Sequence, residues 1–323
     1  NKKINSLLLL CGDEVIGFRG FIPGLYQVPV HNNMRILQGG ASAMWTIGKQ
    51  YRKGRLGLML QQEALNQIAV ITGAHSDPAT SLLFYRYGGF SILDTTNRYV
   101  VPLEAKGYHK LLSQKADIGN VTGWVNAWRT SNNIVGPGKP DINNISEVWK
   151  RTTFPLKLFS LYRNNDFWKW RYLDSTGFQY LFFGSIMDTG LIIARVETII
   201  SNEYKEMNGI KVFRIIEIIP RDSLAWKGEK DKLLIELIQS VILWAMNHGC
   251  VAADFYCSTT RFEPTLTVAG FKKYSVHGSS AITSLALLFQ PLTYVAKPVN
   301  LFFKINRPDN DNIEISFENT YMV

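Results

Sequence analysis

Cysteine is scarce in this 323-residue sequence, which contains only Cys11, Cys250 and Cys257. Their number is odd and their spacing matches no arrangement of metal ligands, which argues against a disulfide framework and against a zinc site. We therefore expect no bound metal and a reducing compartment.

Long apolar stretches are missing as well. The run SLLLLC, at positions 6–11, is uncharged, but it is far shorter than the roughly 20 residues that a membrane helix needs. It also lacks the small-residue cleavage site of a signal peptide. We expect a cytoplasmic protein with no membrane partner.

Charged residues make up only 19% of the sequence, whereas 46% of the residues are hydrophobic. Such a composition can fill more than one core, and the chain is about twice as long as a typical domain, so two domains are expected. The net charge is +9. This excess would attract nucleotides, coenzyme phosphates, nucleic acid or acidic lipid, and charge alone does not choose among them.

Apolar periodicity indicates a first α/β block at about 4–103. It predicts an opening hairpin, a strand at 42–50, a helix, a buried strand, and a second helix that ends at Gly88 and Gly89. A strand pair at 90–103 is predicted to close the block.

The second block repeats this order of elements. Its amphipathic helix has an apolar face formed by Leu234, Ile238, Val241 and Ala245. Between the blocks, the sequence is rich in Gly, Pro, Asn and Ser, which is typical of a linker. We therefore predict an α/β (α+β, mixed-sheet) fold in two tandem copies, with a domain at 1–110, a linker at 111–145 and a domain at 146–323.

The sequence YRKGRLG, at 51–57, lies between the predicted third strand and the helix that follows it. Backbone N–H groups in the first turn of a helix have no internal partners, and the helix dipole adds partial positive charge there. Gly54 and Gly57 would allow a tight turn and a close approach of phosphate oxygens. The cationic side chains of this turn are Arg52, Lys53 and Arg55. We call residues 52–57 the anion cradle; the alternative is an ordinary solvated helix start.

The cradle is neither a P-loop nor a dinucleotide fingerprint. It resembles the Arg/Gln-x-x-Gly-x-Gly/Ala turn of the GCN5-related N-acetyltransferases (GNATs), with Arg52 and Gly57 matching and Arg55 in place of the usual first glycine. The segment SLLFYRYGGF, at 81–90, is similar to a later helix of that family, written A-x-x-L-Y-x-x-x-G-F. Tyr85 falls on the tyrosine of that pattern.

The resemblance, which covers about residues 4–103, implies an acyl-CoA-dependent N-acyltransferase. In that family, acyl-coenzyme A binds in a V-shaped opening between two parallel strands, and its pantetheine pairs with the strand before the turn. The substrate amine attacks the thioester directly, and an N–H of that strand stabilises the oxyanion. The coenzyme-binding residues implied for this sequence are Trp45, Ile47, Arg52, Lys53, Gly54, Arg55, Leu56 and Gly57.

Two residues are candidates for proton transfer. The resemblance implies that Tyr85 gives a proton to the departing thiolate, although an aromatic residue at helical spacing also fits a core. The attacking amine must lose a proton, and His75, at the end of the strand before the Tyr85 helix, is the nearest base by topology. The alternative for His75 is a surface or packing residue.

The second block lacks the cradle. Its equivalent position reads PRDSLAWKGEKDK, where Glu229 and Asp231 would repel a pyrophosphate. We expect this copy to be degenerate and to form a wall of the substrate cleft.

A tandem arrangement with the segment FWKWRY, at 167–172, resembles bacterial sugar N-acyltransferases that make surface polysaccharides such as the O-antigen of lipopolysaccharide. That resemblance implies a nucleotide-linked amino sugar as acceptor, for instance a dTDP-linked 3-amino-3,6-dideoxyhexose. FWKWRY also fits an amphipathic packing helix. The expected substrate contacts are Asp254, Tyr256 and Arg261.

Two other functions remain open from the sequence. One is an aminoacyl transferase that takes its acyl group from tRNA for cell-wall peptides, which would have no use for a coenzyme pyrophosphate site. The other is a non-catalytic module that binds RNA or another anion. No recognised nucleic-acid motif is present, so no nucleic-acid partner is expected.

Overall fold

The computed structural model of the chain describes residues 6–31, 33–74, 81–94, 96–112, 118–128, 134–202, 205–273, 300–306, 315–316 and 319–322. Its contacts divide the chain into two compact units. The first unit comprises Asn1–Thr96, Lys157–Tyr162 and Val299–Met322, and the second comprises Asn97–Leu156, Arg163–Pro298 and Val323. The predicted boundaries at 110 and 145 therefore differ from these units, because each unit is assembled from separate segments of the chain.

The described residues form strands and helices along the whole chain. The strands are β1 (Ser6–Cys11), β2 (Glu14–Val30), β3 (Asn33–Ile47), β4 (Val70–Ala74), β5 (Ser91–Leu93), β6 (Asn97–Pro102), β7 (Phe159–Leu161), β8 (Leu181–Phe183), β9 (Leu191–Thr198), β10 (Lys211–Ile219), β11 (Cys250–Cys257), β12 (Lys272–Lys273), β13 (Leu301–Ile305) and β14 (Thr320–Tyr321). The helices are α1 (Leu56–Gln67), α2 (Ser81–Tyr87), α3 (Ala105–Lys110), α4 (Ile118–Trp128), α5 (Ile142–Thr153), α6 (Asn165–Trp168), α7 (Lys232–Asn247) and α8 (Glu263–Val268).

The first unit is built on a mixed sheet with the order β14-β7-β2-β3-β4-β13-β5, and β1 pairs with β2 outside this path. The predicted opening hairpin is confirmed, since β1 and β2 are antiparallel and Gly12 turns between them with a φ of 60°. Strand β3 is longer than predicted. It pairs with β2 from Asn33 to Ile47, and a side chain at Gly40 would collide with Phe21.

The prediction of a strand pair at 90–103 is wrong. Strand β5 pairs with β13, which comes from the far end of the chain, whereas β6 pairs with β11 in the sheet of the second unit. Apolar alternation shows that a segment is a strand but does not name its partner, so a local hairpin and a long-range pairing look alike in sequence.

The core of the first unit lies on both faces of its sheet. One cluster joins α1 and α2 to the sheet through Phe21, Leu65, Ile71, Tyr85 and Phe302, among others. The other contains Tyr26, Val28, Phe159 and Phe303. Phe302 and Phe303 are neighbours in β13, and since successive strand side chains point to opposite faces, this strand contributes to both clusters.

The second unit is built on a sheet with the order β12-β6-β11-β10-β9-β8. Helix α7 packs on it with Leu234, Ile238, Val241 and Ala245 buried, as the sequence predicts. Helix α4, within the segment predicted as linker, buries Trp124, whose Nε1 donates to the carbonyl of Gly270 at 2.9 Å. This part of 111–145 is therefore packed structure.

The two units repeat one arrangement of elements, as predicted. In each, an antiparallel strand pair leads through a short turn of helix to a long helix, a parallel strand and a short helix. The short helix ends in both units at a glycine of positive φ, Gly89 at 70° and Gly270 at 103°. The next N–H bonds back into the helix, from Phe90 to Tyr85 at 3.0 Å and from Phe271 to Leu266 at 2.9 Å.

Among the described residues, no helix combines the length and the apolar character that crossing a membrane requires.

Candidate functional site

Strands β3 and β4 separate partway along their length. Their parallel register covers only Gly39 to Ala41 of β3, opposite Val70 to Thr72 of β4. Between β3 and β2 the register shifts after Gly20, so that one extra residue of β3, Ala43, forms a bulge. A bulge bends its strand. Within these described strands, the part of β3 beyond Ala41 therefore presents an edge with no partner on its β4 side.

A pocket of about 280 Å³ lies along this free part of β3. It brings together five of the residues predicted to bind coenzyme, two from β3 and three from the turn. Its lining residues are Trp45, Thr46, Ile47, Tyr51, Arg52, Gly54, Gly57, Leu58 and Phe84. Lys53 and Arg55 are exposed and are not part of the lining, and neither is Leu56. Sequence reasoning missed Thr46, Tyr51, Leu58 and Phe84, although each is adjacent in sequence to a predicted residue.

The anion cradle leaves the start of α1 open. Arg55 is the N-cap residue of this helix, its side chain makes no capping hydrogen bond, and the first turn contains no acidic residue. The first N–H groups of α1 are thus available to an acceptor beside the pocket. Arg52 is held at the end of β3, because its Nε donates to the carbonyl of Ile47 at 3.0 Å.

The start of α7, the equivalent place in the second unit, is closed by the chain itself. The side chain of Asp231 accepts a hydrogen bond from the N–H of Leu234 at 3.1 Å. Trp226, in the connection that leads to this helix, is fully buried. A carboxylate cap occupies one of the N–H groups that a phosphate would need, and the loss of anion binding in the second copy stays a prediction.

Tyr85 lies in α2, next to the pocket-lining Phe84, and its side chain is only 2% exposed. Its ring stacks on that of Phe302, with centroids 3.8 Å apart, and lies 5.8 Å from the ring of Trp45. Tyr85 is therefore a core residue, which is the alternative that its helical spacing left open in the sequence. Its hydroxyl nevertheless belongs to a polar network, since it accepts from Nη2 of Arg19 at 2.9 Å and lies 3.4 Å from the hydroxyl of Ser42.

Arg19 is a residue of this network that sequence reasoning missed. It lies in β2 and is fully buried, and its burial lowers the pKa of the guanidinium although the neighbouring Tyr85 acts in the opposite direction. A signal was present in the sequence: an arginine in the middle of the apolar strand segment VIGFRGFI, where its side chain must lie on one face of a buried sheet.

The candidate base cannot be located in the same way, because His75 lies outside the described residues. Within the part of the chain that the structure describes, no three His, Cys, Asp or Glu side chains gather as the ligands of a metal ion would.

The residues predicted to contact substrate lie in the second unit, and Asp254 is fully buried there. Its carboxylate bonds to Nη2 of Arg98 at 2.8 Å and to Nε of Arg214 at 3.1 Å. Tyr256 lies under Arg98, 4.8 Å from the guanidinium, and Arg261 donates to the carbonyl of Trp226 at 2.6 Å. These contacts give Asp254 and Arg261 partners within the fold, and a role in substrate binding stays a prediction.

The FWKWRY segment has both buried and exposed side chains. Phe167, Trp168 and Tyr172 are buried, and the hydroxyl of Tyr172 donates to Glu217 at 2.8 Å. Glu217 lies in β10 two residues beyond the last parallel pair with β11 and also pairs with Arg163 at 3.1 Å. Trp170 is 55% exposed. In the second unit, side chains of the unit itself therefore cover the stretch of β10 that corresponds to the open part of β3.

The buried ion cluster around Asp254 should make stability depend on pH. Burial alone would raise the pKa of Asp254, but the charges of Arg214 and Arg98 outweigh it and hold the pKa below its ordinary value. A depressed folded-state pKa contributes stability above the unfolded value of about 3.9, and the contribution is lost as pH falls through the folded-state pKa. Asp254→Asn should lower the free energy of unfolding at pH 7 by about 3–5 kcal/mol.

Urea unfolding between pH 7 and pH 3 measures this effect, and Asp94→Asn, an exposed carboxylate, is the control. The Asp254→Asn protein should lose less stability than the wild type on acidification below pH 4, because it no longer carries the group that titrates. Equal stability of Asp254→Asn and wild type at pH 7 would contradict the prediction.

The splayed strands and the uncapped helix start together define the fold class that the sequence predicts: the chain has the GNAT fold, in an α/β arrangement. Among solved structures, it is similar to N-myristoyltransferase of Saccharomyces cerevisiae with bound myristoyl-CoA. One such structure shows 15% identity and a TM-score of 0.53 over 92% of this chain and 67% of that one. Another shows 13% identity and a TM-score of 0.53 over 97% and 74%.

A structure of Eis1 from Mycobacterium abscessus also matches, at 10% identity and a TM-score of 0.43, over 78% of this chain. The chain spans 56% of the length of Eis1. No family model matches the sequence, and no curated protein matches it. At such identities the similarity to the two N-myristoyltransferase structures, each with a TM-score of 0.53, establishes the fold alone.

Proposed function

We propose that the protein is an acyl-CoA-dependent N-acyltransferase whose coenzyme site is the pocket of the first unit. The observation that carries the proposal is the joining of two features in one pocket: the free edge of β3 at Trp45–Ile47 and the open start of α1 at Gly57. An extended amide-containing arm can pair with a free strand edge. A pyrophosphate can bind at a helix start that lacks a cap. Coenzyme A carries both groups in one molecule: its pantetheine arm contains amides, and its pyrophosphate follows that arm. One coenzyme A molecule can therefore occupy both the strand edge and the helix start.

The reaction would proceed by direct attack. The nitrogen of a neutral amine forms a bond to the thioester carbonyl carbon, and an N–H at the free edge of β3 stabilises the oxyanion. The C–S bond then breaks with its electron pair on sulfur, and Tyr85 gives the thiolate a proton. A base removes the proton that the amine nitrogen loses, and His75 is our candidate for that base.

We propose a nucleotide-linked amino sugar as the acceptor, with a dTDP-linked 3-amino-3,6-dideoxyhexose as the best candidate and surface-polysaccharide synthesis as the setting. The net charge of +9 and the exposed ring of Trp170 support this proposal. Arginine pairs with phosphate oxygens, and an exposed indole can stack on a base. We propose Tyr256 as a residue that contacts this acceptor.

Thermal-shift measurements test these proposals against the alternatives. Stabilisation by coenzyme A supports the coenzyme site, and additional stabilisation by dTDP supports the acceptor. A response to RNA with none to coenzyme A would instead indicate the anion-binding module. A panel of acyl-CoA thioesters with dTDP- and UDP-linked amino sugars, followed by the release of free thiol, would then identify both substrates.

Tyr85→Phe should lower kcat by more than about tenfold, because the thiolate would leave without its proton donor. The affinity for coenzyme A should change little, since Tyr85 is not among the pocket-lining residues. Steady-state kinetics and calorimetric binding measure the two quantities. Tyr87→Phe is a matched control in the same helix, because Tyr87 is 88% exposed. Unchanged kcat in Tyr85→Phe would remove Tyr85 from the mechanism.

A further inference from the structure

Arg19 is placed in an unusual environment for a charged residue. Its side chain is fully buried in the middle of β2, and its guanidinium lies over the rings of Phe21 at 4.8 Å and Trp45 at 5.0 Å. It donates from Nε to Oε1 of Gln61 at 3.1 Å and from Nη1 to the hydroxyl of Ser42 at 2.8 Å. These partners are neutral.

The charge of Arg19 has no carboxylate partner among the residues that the structure describes. The other deeply buried arginines do have one: Arg98 and Arg214 pair with Asp254, and Arg163 pairs with Glu217. Burying a charge without a counter-charge is costly. The lowered pKa of Arg19 reflects this cost. A negative charge that formed beside this guanidinium would therefore be strongly stabilised.

The network around Arg19 also fixes the direction of its hydrogen bonds. Gln61 is 4% exposed and turns its carbonyl oxygen to Arg19, which leaves its Nε2 without a hydrogen-bond partner in the described residues. The hydroxyl of Ser42 accepts from Arg19 as well. The side-chain oxygens of this cluster thus face the guanidinium.

The same geometry determines how the hydroxyl of Tyr85 can act. Nη2 of Arg19 donates to its oxygen at 2.9 Å, and stacking on Phe302 holds the ring in place. A guanidinium can only donate, so the proton of the phenol must point toward some other acceptor. Arg19 thereby presents Tyr85 as a donor of a proton and places a positive charge next to the oxygen that loses it.

We propose that Arg19 is a positioning residue for the acyl transfer, acting through Tyr85. When the C–S bond breaks, its electron pair goes to sulfur, the phenol proton moves to that sulfur, and Tyr85 becomes a phenolate. The phenolate and Arg19 then form an ion pair, which lasts until the phenolate takes up a proton again. This uptake balances the proton that the amine nitrogen releases. The inference rests on the proposed function, because it requires a thioester whose thiolate departs near Tyr85.

A double-mutant cycle with Arg19→Gln and Tyr85→Phe tests the inference. Arg19→Gln should lower kcat by about tenfold or more, while the affinity for coenzyme A stays within about twofold of the wild type. In the Tyr85→Phe background the same change should lower kcat by less than about twofold, because two residues that act through one proton transfer are not additive. Arg19→Lys should restore part of kcat. Gln61→Leu removes a partner of Arg19 that does not contact Tyr85 in the described network, so its effect should be smaller.

Each of the following outcomes would overturn the inference. Equal losses of kcat from Arg19→Gln in the wild-type and Tyr85→Phe backgrounds would show a structural role only. An active enzyme with unchanged kcat in Arg19→Gln would overturn the inference and leave the proposed function intact. A wild-type protein that does not bind coenzyme A would overturn both. If Arg19→Gln does not fold, the same double-mutant cycle is measured with Arg19→Lys in its place. An additive loss of kcat in that cycle would also overturn the inference.

Discussion

Glutamate in place of Gly57 should raise the dissociation constant for coenzyme A by at least about a hundredfold. A Cβ atom at this position would lie 3.5 Å from Cζ2 of Trp45 and 3.7 Å from Cγ1 of Ile47, so the side chain would enter the pocket. Its carboxylate would also meet the phosphates at the start of α1, where like charges repel strongly at short distance. Isothermal titration calorimetry with coenzyme A measures the effect.

Alanine at the same position is the matched control. Its Cβ makes ordinary van der Waals contacts with Trp45 and Ile47, and alanine favours a helix by about 1 kcal/mol over glycine. Gly57→Ala should therefore keep the fold and retain much more affinity than Gly57→Glu. Binding of coenzyme A to Gly57→Glu with the affinity of the wild type would show that the pocket is not the coenzyme site.

Phe302→Ala should destabilise the first unit by about 3–5 kcal/mol, the usual loss for a buried Phe. Phe302 is 1% exposed and stacks on Tyr85, so its removal would open a cavity under the phenol ring. We expect kcat to fall as well, because the hydroxyl of Tyr85 would no longer be held at Arg19. Urea unfolding and steady-state kinetics measure the two effects.

Phe178→Ala is the control for this substitution, because Phe178 is 53% exposed. Its loss of stability should be much smaller. If Phe302→Ala unfolded at the same urea concentration as the wild type, β13 would not be an essential strand of the first unit in solution.

Local features of the site were predictable from the sequence. The helix start after Arg52–Gly57 has its own signal, since glycines and cations at the end of a strand are typical of anion sites. The helix that carries Tyr85 ends at Gly89, where the positive φ requires glycine, and the sequence shows this ending directly. Both features depend on residues that are neighbours in the chain.

Long-range features were not predictable. Nothing near Leu301–Ile305 in the sequence indicates that this segment lies between β4 and β5, because strand alternation does not specify a partner. Arg19 and Tyr85 are 66 positions apart, and only the pairing of β2 with β3 and the packing of α2 bring them together. The burial of Asp254 depends in the same way on Arg98, which enters the second sheet with β6.

The position of β13 has a consequence for the biogenesis of the protein. About 200 residues separate β5 from the strand that completes its sheet, and a ribosome adds roughly 5–20 residues per second. On the order of 10 to 40 seconds would pass between the emergence of Tyr85 and that of the phenylalanine on which it stacks. During this time the nascent first unit exposes the edge of β4, and we expect chaperones to protect it until translation has passed β13.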